Sequence, residues 1–65
     1  MKADLQGALE HIDKYYRVFE HKGKRMTKQQ VKAVLEYGIK QGYETTADLS
    51  DKEVDDVLYK LNNAK

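Results

Sequence analysis

The sequence predicts an all-α protein, a compact three-helix bundle with helices over residues 3–21, 28–41 and 51–62. Apolar residues recur at intervals of three and four positions, which is the spacing of one helix face. Two helix-start signals of the same kind precede the second and third helices. No stretch alternates apolar and polar residues as a half-buried strand does. With 65 residues, we expect one small helical domain over 1–65.

The first predicted helix carries a single apolar stripe. Its members share one face of a helical wheel: Leu5, Ala8, Leu9, Ile12, Tyr16 and Phe19. Lys22 follows the stripe at a point where a cation suits the helix dipole. Gly23 can then adopt the left-handed conformation that is common just after a helix end. We therefore expect a continuous helix from about Ala3 to His21.

The second and third helices share their start chemistry. Thr27 with Gln30, and Ser50 with Glu53, have the spacing of a capping box, in which each pair satisfies two backbone N–H groups. Each box is flanked by two apolar residues spaced as a hydrophobic staple: Met26 with Val31, and Leu49 with Val54. Both helix starts are therefore predicted from local signals alone.

Two glycines and one short polar segment shape the remaining prediction. Gly38 lies on the apolar face of the second helix, although glycine costs about 1 kcal/mol of helix propensity there. We expect another helix to approach closely at that point. Gly42 should end the second helix. Thr45 with Asp48 should cap a single helical turn near 46–49.

The residue types needed for catalysis or metal binding are scarce. The chain has no Cys, and Ser50, its one Ser, is assigned to a helix cap. On a continuous helix, His11 and His21 would lie about 15 Å apart, too far to share an ion, and we expect both to be solvated. The acidic residues at 48–56 lack the ligand spacing of a calcium loop. We expect no enzymatic activity, no metal and no cofactor.

A basic cluster separates the first two predicted helices. Lys22, Lys24, Arg25 and Lys28 fall within seven positions. Lys28 stands in the first turn of a helix, where an acidic residue is favoured over a cation. Phosphate groups bind well to such cations and to the free N–H groups of a helix start. The alternative function is therefore weak, sequence-nonspecific binding of nucleic acid or another anion through Lys22–Lys28.

A partner surface is predicted from apolar residues outside the helix stripes. Val18 and Tyr59 lie well away from the stripes, and Tyr15 and Tyr37 lie at their edges. Tyrosine is enriched at protein interfaces because it combines a large apolar body with a polar tip. The leading prediction is a non-enzymatic interaction module, regulatory or adaptor in role, that binds another protein or forms a homo-oligomer.

Charge and hydropathy place limits on the partners. Residues 1–40 carry nine Lys/Arg against five Asp/Glu, a net of +4, whereas residues 41–65 carry three against six, a net of −3. The two halves sum to the overall +1. The apolar runs are too short for a spanning helix or the core of a signal peptide. We expect a cytoplasmic protein that does not bind membranes.

The two capping residues give the first testable prediction. Thr27→Ala and Ser50→Ala should each lower the free energy of unfolding by on the order of 1 kcal/mol, because each leaves a helix-terminal N–H without its partner. Urea denaturation followed by circular dichroism measures both. If both variants unfold at the parent's midpoint, the two helix starts are misplaced.

Overall fold

The computed structural model describes residues 4–63, and it is 70% helical. In chain order its elements are α1 (Leu5–Glu10), α2 (Ile12–Tyr15), a 3-10 turn (Tyr16–Val18), β1 (Glu20–His21), β2 (Lys24–Arg25), α3 (Lys28–Lys40), a second 3-10 turn (Thr46–Asp48) and α4 (Asp51–Asn63). The mostly helical class is confirmed. The three-helix arrangement is not observed in detail, because two short helices and a hairpin replace the first predicted helix.

The N-terminal segment is interrupted early. Asp4 caps α1, and its Oδ2 accepts a hydrogen bond of 2.7 Å from the N–H of Gly7. His11 then leaves the helical conformation, with φ −116° and ψ 33°, and separates α1 from α2. The predicted start at Ala3 lies outside the described residues.

The predicted helix 3–21 is wrong beyond Val18, because the chain enters a β-hairpin there. Phe19 is extended, with φ −86° and ψ 130°, and its carbonyl accepts a hydrogen bond of 3.2 Å from the N–H of Met26. The turn has positive φ at both central residues, 53° at Lys22 and 79° at Gly23, as a two-residue type I′ hairpin turn requires. The paired residues are Glu20 with Arg25 and His21 with Lys24. Gly23 therefore serves a hairpin turn and not a helix end.

The starts of α3 and α4 are confirmed in their capping chemistry. Thr27 Oγ1 accepts a bond of 3.2 Å from the N–H of Gln30, and Gln30 Oε1 accepts one of 3.0 Å from the N–H of Thr27. Ser50 Oγ accepts a bond of 3.2 Å from the N–H of Glu53, and Glu53 Oε1 accepts one of 3.0 Å from the N–H of Ser50. Each box thus satisfies two N–H groups at its helix start.

The end of α3 is a Schellman motif. Gly42 has a φ of 84° and donates its N–H to the carbonyl of Ile39 at 3.0 Å. Tyr43 donates its N–H to the carbonyl of Gly38 at 2.9 Å. These two bonds are the pair that defines the motif, and they confirm Gly42 as the stop signal.

The single turn predicted near 46–49 is also present. Asp48 Oδ2 accepts hydrogen bonds from the N–H groups of Glu44 at 3.2 Å and Thr45 at 3.4 Å. The carbonyl of Glu44 in turn accepts a bond of 3.0 Å from the N–H of Leu5. The segment after α3 is therefore tied to the start of α1.

Helix α3 lies at the centre and packs against α1, α2, α4 and both 3-10 turns. The buried apolar core consists of Leu5, Ala8, Met26, Val31, Val34, Leu35 and Val54. A Cβ atom added at Gly38 would lie only 2.7 Å from Leu5 Cδ1. The expected close approach at Gly38 is confirmed, and α1 is the helix that approaches.

Gly38→Ala should lower the free energy of unfolding by about 1 kcal/mol, because overpacking at Leu5 outweighs the gain in helix propensity. In a Leu5→Val background, which lacks both Cδ atoms, the same substitution should be neutral or stabilising. Urea unfolding of the four chains of this double-mutant cycle measures the coupling. A stabilising Gly38→Ala in the parent would contradict the contact.

Candidate functional site

The hairpin is attached to α4 by three side chains, which we name the hairpin clamp: His21, Lys22 and Asp55. His21 Nε2 lies 2.7 Å from Asp55 Oδ1, and Lys22 Nζ lies 2.7 Å from Asp55 Oδ2. An ionised carboxylate only accepts hydrogen bonds, so both nitrogens act as donors. The bonds from Lys22 and His21 hold the pKa of Asp55 below its usual range. The clamp therefore fixes the turn of the hairpin against the middle of α4.

The prediction that His21 is a solvated helical residue is wrong. It lies in β1, and its side chain is only 12% exposed. Gly23 is compatible with a hairpin turn, but the sequence around it does not alternate and the same glycine is equally typical of a helix end. No local signal pairs His21 with a carboxylate 34 residues away.

The structure divides the four predicted anion-binding residues. Lys22 is bonded to Asp55, and Lys28 forms an ion pair with Asp13 of α2, which accounts for the cation in the first turn of α3. Lys24 and Arg25 are exposed on β2, and neither forms an ion pair within the described part of the chain.

Three of these four basic residues lie together. Lys22, Lys24 and Arg25 line a groove of about 310 Å³ on one side of the hairpin, which we name the basic groove. Lys28 does not line it. The basic groove therefore holds two cations without a carboxylate partner and a third that is already paired.

Two of the four predicted partner-surface residues also lie together. Tyr15 and Val18 are 48% and 52% exposed, and they line one groove of about 250 Å³, which we name the α1–α2 groove. Phe19 and His11 complete its walls, and the small residue Ala8 lies among its lining residues. The rings of His11 and Tyr15 meet edge to face, with centroids 6.3 Å apart. Asp4 and Gly7 also line the groove, so this surface is accessible and largely apolar, with one carboxylate.

The other two predicted partner-surface residues lie elsewhere. The hydroxyl of Tyr37 donates a bond of 3.3 Å to Glu53 Oε2, so this side chain takes part in the packing of α3 on α4. Tyr43 donates a bond of 2.6 Å to the same oxygen, and this bond together with burial raises the pKa of Tyr43 to about 12. The same bond from Tyr43 is the main cause of a lowered pKa at Glu53. Tyr59 is 72% exposed and does not line the α1–α2 groove.

A second cavity, of about 380 Å³, adjoins the α1–α2 groove and shares Val18 and Phe19 with it. Its floor is the apolar core, and Glu20 of β1 and Asp51 of α4 lie on its lining. We name it the acid-rimmed cleft. No local sequence pattern indicates it, because the hairpin, α3, the second 3-10 turn and α4 each contribute to it.

Within residues 4–63, no group of three or more metal-ligating side chains is placed to hold an ion. Ser50 Oγ donates a bond of 3.0 Å to Glu53 Oε1, in keeping with its role in the cap. No helix in the described part of the chain has the length and apolar content to cross a bilayer.

No protein-family model matches the chain, and no curated protein or solved structure shows significant similarity to it.

The hairpin clamp should make stability depend on pH. The lowered pKa of Asp55 means that its ionised form stabilises the fold above about pH 3.9, the ordinary aspartate value. This contribution is lost as the pH falls through the lowered pKa. Asp55→Asn should therefore lower the free energy of unfolding at pH 7 and have less effect near pH 2, as urea titrations at the two pH values would show.

The neighbouring substitution Asp56→Asn is the matched control, because Asp56 is exposed on the same helix and takes no part in the clamp. It should change the unfolding midpoint less than Asp55→Asn at pH 7. Equal losses for Asp55→Asn at pH 7 and pH 2 would show that the carboxylate charge is not what holds the hairpin.

Proposed function

We propose that this protein is a non-enzymatic interaction domain, and that the α1–α2 groove is its contact surface. The observation that carries the proposal is the convergence of Tyr15 and Val18 on one groove. They are two of the three large hydrophobic residues that are exposed among the described residues. Phe19 extends the same surface toward the core.

The composition of the groove supports binding of a protein. Aromatic side chains are enriched at interfaces because their large rings lose little conformational entropy when they are covered. Gly7 and Ala8 also line the groove beside Asp4, whose carboxylate accepts the N–H of Gly7. A groove with ring-lined walls suits an apolar side chain of a partner better than a flat polar surface does.

Such a domain acts as an adaptor or regulator by bringing its partner to one place. The partner is a different protein or a second copy of this chain, and both would cover Tyr15 and Val18. Tyr37 receives less support as a contact residue, because its hydroxyl is already bonded to Glu53. Tyr59 receives less support because it stands outside the groove.

Nucleic-acid binding through the basic loop has weaker support. With Lys22 and Lys28 both in ion pairs, Lys24 and Arg25 are left as phosphate contacts. Each contact contributes about 0.9 to the slope of log K against log salt, so two contacts give a slope of about −1.8 where four would give about −3.6. Binding of that strength would be lost readily at moderate salt.

A benzophenone amino acid in place of Tyr15 should cross-link to a bound protein, including a second copy of the chain, more efficiently than the same residue in place of Tyr59. The physical reason is that position 15 would be covered in the complex, whereas position 59 would stay in solvent. Photolysis in a cell extract and with purified chain alone, followed by mass spectrometry, measures both products.

In the chain that carries the benzophenone amino acid at position 15, Val18→Ser should reduce the yield of cross-linked product, because it removes apolar contact area from the groove. Its matched control is Tyr59→Ser on α4, which also replaces an exposed large hydrophobic residue with serine but lies outside the groove. Equal yields at positions 15 and 59, unaffected by Val18→Ser, would show that the groove is not a contact surface.

A further inference from the structure

We propose that the acid-rimmed cleft binds an apolar side chain from a peptide segment in which Lys or Arg flanks that side chain. The inference rests on the proposed function, because Val18 and Phe19 line both cavities and a partner in the α1–α2 groove would reach the cleft across them. It specifies basic residues beside the apolar group of the partner, whereas the α1–α2 groove by itself favours only apolar contact.

The interior of the cleft suits an apolar occupant. Its volume of about 380 Å³ falls within the range of roughly 300–1,000 Å³ that is typical of ligand sites. Its floor is formed by buried side chains, among them Val31, Leu35 and Val54. Water against such a floor lacks hydrogen-bond partners, so an aliphatic side chain would replace it favourably.

The charges on the lining of the cleft favour a cation beside that apolar group. Glu20 lies on β1 and Asp51 at the first residue of α4, and neither carboxylate accepts a hydrogen bond or an ion pair from a described residue. Lys22 lies within the field of Asp51, but its ammonium group is bonded to Asp55. Of the other lining residues, His21 faces Asp55.

The surroundings carry charges of both signs. Residues 44–56 have six acidic residues against one Lys, and of these acids Asp51 lines the cleft. Arg25 is the cross-strand neighbour of Glu20 but lines the basic groove, which shares only His21 and Met26 with the cleft. The two carboxylates on the cleft lining favour an apolar segment with basic neighbours and disfavour one with acidic neighbours.

Three acetylated and amidated hexapeptides test this with the full ¹⁵N-labelled chain: Gly-Lys-Leu-Leu-Lys-Gly, Gly-Glu-Leu-Leu-Glu-Gly and Gly-Lys-Ser-Ser-Lys-Gly. The first should shift the amide signals of Val31, Leu35 and Val54. The second lacks the cations and the third lacks the apolar group, so each should bind at least about fivefold more weakly. Equal binding of the serine peptide would overturn the proposal, because charge alone would then explain it.

The variant Glu20→Gln/Asp51→Asn should weaken binding of the lysine–leucine peptide by about three- to tenfold, a range set by two solvent-exposed ion pairs. Lys24→Gln/Lys32→Gln, which removes two positive charges at exposed positions that do not line the cleft, should leave that affinity the same or raise it. An unchanged preference for the lysine–leucine peptide over the glutamate–leucine peptide in the first variant would overturn the role of the two carboxylates.

Different outcomes of these experiments would contradict the cleft inference and the proposed function. If position 15 cross-links to a partner but the peptides show no preference for basic residues, the interaction groove stands and the cleft inference falls. If position 15 shows no advantage over position 59, the interaction groove itself falls.

Discussion

The close approach of α1 to α3 at Gly38 is the contact on which the remaining packing depends. The chain has no Cys to form a disulfide, so packing and capping must hold the fold. Leu5 is almost fully buried over Gly38, where an added Cβ atom would lie 2.7 Å from Leu5 Cδ1. The carbonyl of Gly38 also accepts the N–H of Tyr43, whose hydroxyl then reaches Glu53. One glycine thus links α1, the end of α3 and the start of α4.

The hairpin clamp is the second constraint. It shapes the surface of the protein, whereas the contact at Gly38 shapes the core. Asp55 holds both His21 and Lys22, and so positions the hairpin residues that line the acid-rimmed cleft and the basic groove. Two cavities of different charge at one hairpin give a basis for selecting partners by charge. The α1–α2 groove shares lining residues with the acid-rimmed cleft and none with the basic groove. The proposed contact surface is therefore asymmetric in charge as well as apolar.

The individual residues of the candidate site could be predicted from the sequence, but their arrangement in space could not. Tyr15 and Val18 were recognisable as apolar residues off or at the edge of a helix stripe, and both are exposed. Their meeting in one groove depends on the break at His11 and the 3-10 turn, which no local signal indicated. Lys28 was recognisable as a cation in the first turn of a helix, where an acidic residue is favoured. Its partner Asp13, however, lies on another element. Pairing between residues of different elements depends on how those elements pack, and no short segment of the sequence determines that packing.

The sequence by itself determined α3 and α4, because their starts depend on hydrogen bonds between residues three apart and the end of α3 on bonds within one turn of Gly42. It also determined that Gly38 must face a close neighbour. Only the tertiary structure decided between helix and hairpin after Val18. The stripe through Tyr16 and Phe19 fits a helix, but in the structure both side chains pack against the core from the 3-10 turn and the residue after it, and the hairpin gains the bonds of the distant Asp55. Those contacts span more than thirty residues, beyond the reach of any local pattern.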